Sequence, residues 1–437
     1  MSTTLAELRS QVRGRVLLTD DDGFDQARQP WNLSVQQPVS AVVEALDADD
    51  ISAVVRYAAA AGLSVAPQPG GRGASGDVEG VILLRTGKLD ELHVDAAART
   101  ARVGAGVLGG QVQEVAGPLG LTGVPGSSPL VSVVGYTLGG GLSWFGRKFG
   151  WAADSVTAFD VVTADGARAR VTADSDAELF WALCGGGGDY ALVTAIEYNL
   201  HPAPALYGGR VVWHGSQAAR VLDAFRRITA EAPDELTAWF NLMQIPNGPS
   251  LVTIDSTYLG DAAEGKELLR LLDGIEGANT DTRGEVAVAE LGSITGEPTE
   301  PGPSATRAEL LTDLDDKVAA ALLAEPIDPL FGVHIRHLGG AFARPTRNPQ
   351  GPLTEPYTLS MFGVPFSPDR AAAITARQDA LVQSLGSYVS GRKPYTYLSP
   401  GDSASAAFAP EALARLQEVK RSRDPRGVFR SNFPVLG

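Results

Sequence analysis

Glycine gathers at four turns between Val65 and Pro202: Pro69-Gly70-Gly71-Arg72-Gly73, Gly123-Val124-Pro125-Gly126, Gly139-Gly140-Gly141 and Gly185-Gly186-Gly187-Gly188. A chain needs glycine where φ must be positive, or where main-chain N–H groups must touch a phosphate or a flat ring with no Cβ between. Four separate turns of this kind fit one extended dinucleotide laid across a scaffold.

The segments around these turns read as alternating strand and helix. Apolar Ile51, Val54, Val55 and Ala58 fall at helical spacing over residues 49–61, behind two aspartates that favour a helix start. Residues 63–65, 80–84 and 100–103 read as strands. Beyond Pro202-Ala203-Pro204 the glycine turns stop. Alternating segments follow at 207–213, 236–243 and 251–258, separated by amphipathic helices at 217–230 and 263–272. Such a sheet, covered by helices on one face, leaves the other face free to roof a ligand. Residues 292–303, with three prolines and three glycines, read as a loop, and 410–423 as a charged helix before Val428-Phe429.

One motif points elsewhere. Gly104-Ala105-Gly106-Val107-Leu108-Gly109 follows a strand and precedes a helical stretch, which by itself is a nicotinamide-dinucleotide fingerprint. The acidic residue that should follow about 20 positions on is missing. Gly123-Val124-Pro125-Gly126 stands there instead, so the match reads as a decoy.

At 437 residues the chain exceeds the usual single core, and two domains are expected. A net charge of −15 argues against a nucleic-acid partner, which needs a basic face. No run of 18 apolar residues and no basic-then-apolar leader appears, so the expectation is a cytoplasmic chain with no membrane anchor. The lone Cys184 excludes an intramolecular disulfide, and five scattered histidines offer no metal-ligand spacing.

The order of the motifs resembles the PCMH-type FAD-binding domain of the vanillyl-alcohol oxidase superfamily, and within it the berberine-bridge-enzyme-like oxidases. The resemblance is carried by Trp31-Asn32, Gly70-Gly71, Val134-Gly135-Tyr136-Thr137-Leu138-Gly139-Gly140-Gly141 and Val161-Val162-Thr163-Ala164-Asp165-Gly166. Glu178-Leu179-Phe180-Trp181 with the glycines after it, Arg336-His337-Leu338-Gly339-Gly340 and Asp424-Pro425 through Phe429-Arg430 complete it. It implies a two-domain α+β flavoprotein, with residues 1–203 binding FAD and 204–390 forming a substrate domain whose antiparallel sheet is covered by helices. Residues 391–437 return to the FAD domain. Two departures bear on the cofactor: the family's flavin-linking histidine position is Arg72, and its cysteine position is Ser128. FAD is therefore expected to bind without a covalent bond.

The resemblance also assigns site residues. Pro69, Gly70, Gly71, Arg72, Gly73 and Ala74 would face the pyrophosphate, although alone they could be a surface turn. Arg72 would touch phosphate or the flavin edge, or point to solvent. Ser128 belongs to the facing turn; Val134, Gly135, Leu138, Gly139, Gly140 and Gly141 would pass beneath the ring, Val193 would lie near the adenine or ring edge, and Asn432 near the pyrimidine. Asp189, Tyr190 and Cys184 depart from the family pattern. Tyr395 is the candidate base, with Tyr397 beside it and a wall position as the alternative for Tyr395. Arg336 and His337 sit on a predicted strand of the substrate domain, where a structural role competes with a catalytic one for His337.

Flavin chemistry asks the protein to bind the cofactor, orient the substrate and usually remove one proton. The first reading is oxidation of a small organic molecule (a natural-product intermediate, sugar, alcohol or amine) with molecular oxygen as acceptor. A non-redox cyclase or isomerase that keeps FAD as a scaffold is the second, and a sensor or carrier without flavin the third.

Overall fold

The computed structural model describes residues 5–246 and 248–437. Its first sheet is built around a helix that the sequence specifies at both ends. Asp47 accepts from the amides of Asp49 and Asp50 to start Ala48–Ala61, and Gly62, at φ +69°, closes it in the left-handed region. Ile51, Val54, Val55 and Ala58 bury one face of this helix against Val65, Ile82 and Leu84. The sheet below orders Arg15–Leu18, Ala41–Glu44, Ile82–Arg85 and Val65–Pro67, and the last three strands run parallel.

A second sheet of five strands runs Leu92–Asp95, Thr100–Gly104, Leu192–Asn199, Val156–Val162, Arg168–Val171, with every neighbour antiparallel. Gly104 thus pairs antiparallel with Ala195 and opens no parallel crossover. A Cβ on Gly104 would lie 2.1 Å from the Leu89 carbonyl oxygen, so close backbone packing requires that glycine.

The third sheet has eight strands, led in order by Ala278–Asp281, Tyr207–His214, Ser250–Tyr258, Leu236–Gln244, Gly332–His337, Tyr357–Gly363 and Ala305–Leu311. The helices Ala218–Glu231, Asp316–Leu323 and Pro368–Leu385 bury their apolar sides against one face, with Phe225, Phe240, Ile335 and Leu359 at the centre of that core. The opposite face turns toward the glycine-rich half: Trp239 stacks on Trp144 with centroids 3.5 Å apart and planes 9° from parallel. The molecule is therefore a two-domain α+β fold, and its free sheet face packs toward the glycine-rich half.

After Pro410–Arg423 the chain returns to the first sheet, where the Val65 amide donates to the Val428 carbonyl and the Arg430 amide to the Val65 carbonyl. The buried Lys420 ammonium donates to the Asp424 carboxylate and to the carbonyls of Asp189 and Phe429, each at 2.8 Å. Asp189 in turn accepts from the amides of Ser431 and Val435. A buried ion pair with every donor satisfied fixes a geometry more than it adds stability. Here it presents Asn432 to the turn at Gly73. Among the described residues no helix is long and apolar enough to cross a membrane, and no cluster of His, Cys, Asp and Glu could hold a metal ion.

Candidate functional site

The turn after Val65–Pro67 is the most open part of the glycine series. Among the described residues the amides of Gly70, Gly71, Arg72 and Gly73 have no acceptor. Gly71, at φ +70°, is required by conformation and by Pro30, whose Cα would lie 2.9 Å from a Cβ there. Gly70 has no such constraint, since no heavy atom lies within 4 Å of its Cβ position. The Cβ position of Gly73 is 3.7 Å from Asn432 Nδ2, and that of Gly135 is 3.7 Å from Pro69 Cγ. The turn, the start of the Val133–Leu138 helix and the tail therefore converge on one spot, with Ala74 buried beneath it.

Arg72 does not point to solvent. Its guanidinium carbon sits 3.6 Å over the Trp31 ring, and Nη2 donates to Ser128 Oγ at 3.0 Å. Burial lowers its pKa, against the field of Glu297. Nε has no partner.

Two of the other three glycine turns are filled by protein atoms, some from residues 348–350 of the second domain and some from the glycine-rich half itself. A Cβ on Gly140 would meet Gln350 Nε2 at 2.6 Å and Trp151 at 2.9 Å; one on Gly141 would meet Ala152 at 2.6 Å, and one on Gly185 would meet Asn348 at 2.5 Å. Gly139 faces Thr396 at 3.4 Å. Gln350 binds the turns together: Nε2 donates to the carbonyls of Gly139 and Gly185, and Oε1 accepts from the Tyr395 amide. Gly140 and Gly185 are therefore required by the seam between domains, and Gly141 by packing against Ala152 and Tyr136. Any contact they make with a ligand goes through main-chain atoms. Val134 and Val193 bury their side chains in the adjoining core, so they can offer only backbone, while the partly buried Leu138 packs against that core.

The candidate bases separate sharply. Tyr395 is a wall residue: its hydroxyl donates to the Phe433 carbonyl at 3.0 Å, and it would lie 2.6 Å from a Cβ on Gly187. Burial raises its pKa, and Asp189 adds to the rise, with no cation bonded to the phenol. Among the described residues Tyr395 thus has no cation to stabilise the anion that a base becomes. Tyr397, two residues on in the same 3-10 turn, instead accepts from Arg336 Nη1 at 2.7 Å. His337 faces the covered side of the sheet. Arg147 Nη1 donates to its Nε2 at 2.9 Å, and burial first, then Arg147, hold the ring neutral.

Sequence reasoning missed the polar rows on the free sheet face. Cross-strand partners set Arg210 opposite Asp255, Asp255 opposite Trp239, Trp239 opposite Arg336 and Arg336 opposite Thr358. The next row holds Thr253, Asn241, His334 and Ser360. Arg210 clamps Asp255 through Nε at 2.5 Å and Nη2 at 2.8 Å, while Asn241 Nδ2 donates to the same carboxylate at 3.0 Å. Burial raises the Asp255 pKa and the Arg210 contacts oppose it. His334 is pushed down to about 3 by burial, then by Arg336 and Arg210, and so stays neutral. The signal was present: Thr253, Asp255 and Thr257 alternate with Val252 and Ile254 inside one strand.

Residues 39–172 match the family model described as FAD binding domain. Physcomitrella patens BBE-like 1 superposes with a TM-score of 0.86 at 20% identity, covering 99% of each chain. The (R)-6-hydroxynicotine oxidase of Paenarthrobacter nicotinovorans is 28% identical over 100% of this chain and 99% of its own. A crystal structure of 6-hydroxy-D-nicotine oxidase from Arthrobacter nicotinovorans matches at TM-score 0.82 and 25% identity, over 98% of both chains. The chain carries an FAD binding domain at residues 39–172 and over its whole length is similar to berberine-bridge-enzyme-like FAD-linked oxidoreductases.

FAD fits the residues present. The free amides and the open Cβ position at Gly70 suit a pyrophosphate, and Arg72 lies beside that turn. This berberine-bridge-enzyme-like protein binds FAD non-covalently: Arg72 and Ser128 cannot form the tethers, and the one thiol, Cys184, is fully buried with its pKa raised to about 12 by desolvation.

Proposed function

We propose that the protein is an FAD-dependent oxidase that dehydrogenates a small organic molecule held between the flavin and the free sheet face, with molecular oxygen as the acceptor. Bound FAD supplies the hydride acceptor. Residues 1–203 and 391–437 would hold the cofactor, through the 69–74 turn and Asn432, and 204–390 would hold the substrate. Tyr397 would take the proton from the substrate hydroxyl or amine as the hydride leaves carbon. The observation that carries this role is the 2.7 Å hydrogen bond from Arg336, a fixed cation on which a phenolate can lean. Trp239, stacked on Trp144 and under the Arg336 guanidinium at 4.0 Å, would shape the wall that excludes water.

The test is a purified, FAD-loaded protein mixed anaerobically with a panel of alcohols, sugars, amines and hydroxy acids. Loss of the yellow absorbance with one class, and hydrogen peroxide on readmitting air, are expected. A protein that takes up no FAD would end the reading.

A further inference from the structure

We infer that the substrate carries a carboxylate, and that Arg336 is the residue that recognises it. The inference rests on the oxidase reading for the place of the site and goes beyond it in naming the chemistry. Two arginines stand on the free sheet face in one cross-strand row, and they differ in what they have to bind. Arg210 is spent: its fork is closed on Asp255, whose carboxylate is further held by Asn241. Arg336 is not spent. Among the described residues no carboxylate lies within ion-pair distance of it, and its one hydrogen bond is the donation from Nη1 to Tyr397. Its Nε is buried without a partner.

A buried donor on a guanidinium costs free energy until an acceptor reaches it. Among the described residues no neighbour supplies one. Trp239 covers one face of the guanidinium at 4.0 Å, and Thr358 stands opposite on the next strand. His334, two residues away on the same face, is neutral and presents no charge. The Glu297 carboxylate acts on Arg72 and Arg210. One positive charge is thus left uncompensated beside the proposed base. The Nε–Nη2 edge has the geometry that a carboxylate accepts as two parallel hydrogen bonds. A single carboxylate balances that one charge, whereas a phosphate monoester would bring about −1.5 to −2 and, among the described residues, meet as second cation on this face only Arg210, already closed on Asp255. The same field disfavours a substrate cation. With its carboxylate on that edge, the substrate would lie against Trp239 and within reach of Tyr397, so one residue would both anchor the molecule and orient the base.

The experiment is isothermal titration of the FAD-loaded full chain at neutral pH with sodium benzoate, benzylamine hydrochloride and inorganic phosphate. Benzoate is expected to bind and to perturb the flavin spectrum, while benzylamine and phosphate bind at least about tenfold more weakly. R336Q is expected to lose about tenfold or more in benzoate affinity, the scale of a charge-assisted pair of hydrogen bonds, and R336K to fall between, since it keeps the charge and loses the fork. If R336Q does not fold, R336K carries the comparison. Benzylamine or phosphate binding as tightly as benzoate, no benzoate heat, or unchanged affinity in the folded variants would overturn the proposal. The oxidase reading fails separately, if FAD does not bind or no substrate class bleaches it.

Discussion

Arg72 donates from Nη2 to Ser128 Oγ at 3.0 Å, so the two positions at which the resembled enzymes tether their flavin are here bonded to each other. The guanidinium lies over the ring of Trp31, whose carbonyl accepts from the Gly302 amide of the other domain. What replaces the covalent links is a cation held in place by packing.

The first prediction concerns that replacement. Acid precipitation is expected to release all the FAD into the supernatant and leave a colourless pellet. Arg72→Met, which keeps the stem and removes the charge, should weaken FAD by about tenfold, the scale of one charge-assisted hydrogen bond. Equilibrium titration of the apoprotein with FAD checks it; equal affinity would remove Arg72 from the cofactor site.

The glycines divide into two kinds, and substitutions should show it. Gly140→Val forces a branched residue to φ +96° and into Gln350 and Trp151, so a loss on the order of 3 kcal/mol or more, or no soluble protein, is expected. Gly70→Ala meets no atom of the protein within 4 Å. It should leave the melting temperature of the apoprotein unchanged while reducing FAD affinity. A Gly70→Ala protein with normal affinity would place the pyrophosphate elsewhere.

A third pair of variants separates the tyrosines. Tyr397→Phe should keep FAD and slow its anaerobic reduction by about 10²- to 10⁴-fold, the range for general acid–base catalysis. Tyr395→Phe removes one buried hydrogen bond, to the Phe433 carbonyl, and should cost about 1 kcal/mol of stability with little change in reduction rate. The reverse pattern in single-turnover measurements would restore Tyr395 as the base.

These assignments mark where the sequence stopped being legible. The helix at Ala48–Ala61 and the strands at Tyr207–His214, Leu236–Gln244 and Ser250–Tyr258 follow from caps and periodicity, which are local properties. Ala305–Leu311 reads Ala-Thr-Arg-Ala-Glu-Leu-Leu, a helix former's composition, and is a strand only because it pairs with Tyr357–Gly363 along its whole length. Choosing between Tyr395 and Tyr397 was similarly out of reach. The two sit in one turn, and their roles are set by Phe433 and Arg336, residues distant in sequence that tertiary packing alone brings near. Glycine identity was legible, but its cause was not: Gln350 and Asn348, which fill the space at Gly140 and Gly185, carry no motif of their own.

Three neutral histidines make the last prediction. His337 accepts at Nε2 from Arg147, so its proton is on Nδ1 and a second proton would set two cations together. Its pKa is held well below the ordinary value, by burial first and Arg147 second, while burial chiefly takes His334 down to about 3 and His201 down to about 4. All three are bases with depressed folded-state values. On unfolding they recover a pKa near 6.5 and take up protons, so the unfolded state binds more protons in the window between their folded values and about 6.5. Stability should therefore be flat above about pH 7 and fall as pH drops below 6.5, each histidine adding a slope of at most about 1.4 kcal/mol per pH unit. Urea unfolding at a series of pH values from neutral to mildly acid measures the slope. His337→Gln, which can still accept from Arg147, should flatten it by up to one proton's worth. An unchanged slope in that variant would mean that His337 is already protonated in the folded protein, and the Arg147 contact would have to be read as a repulsion relieved elsewhere.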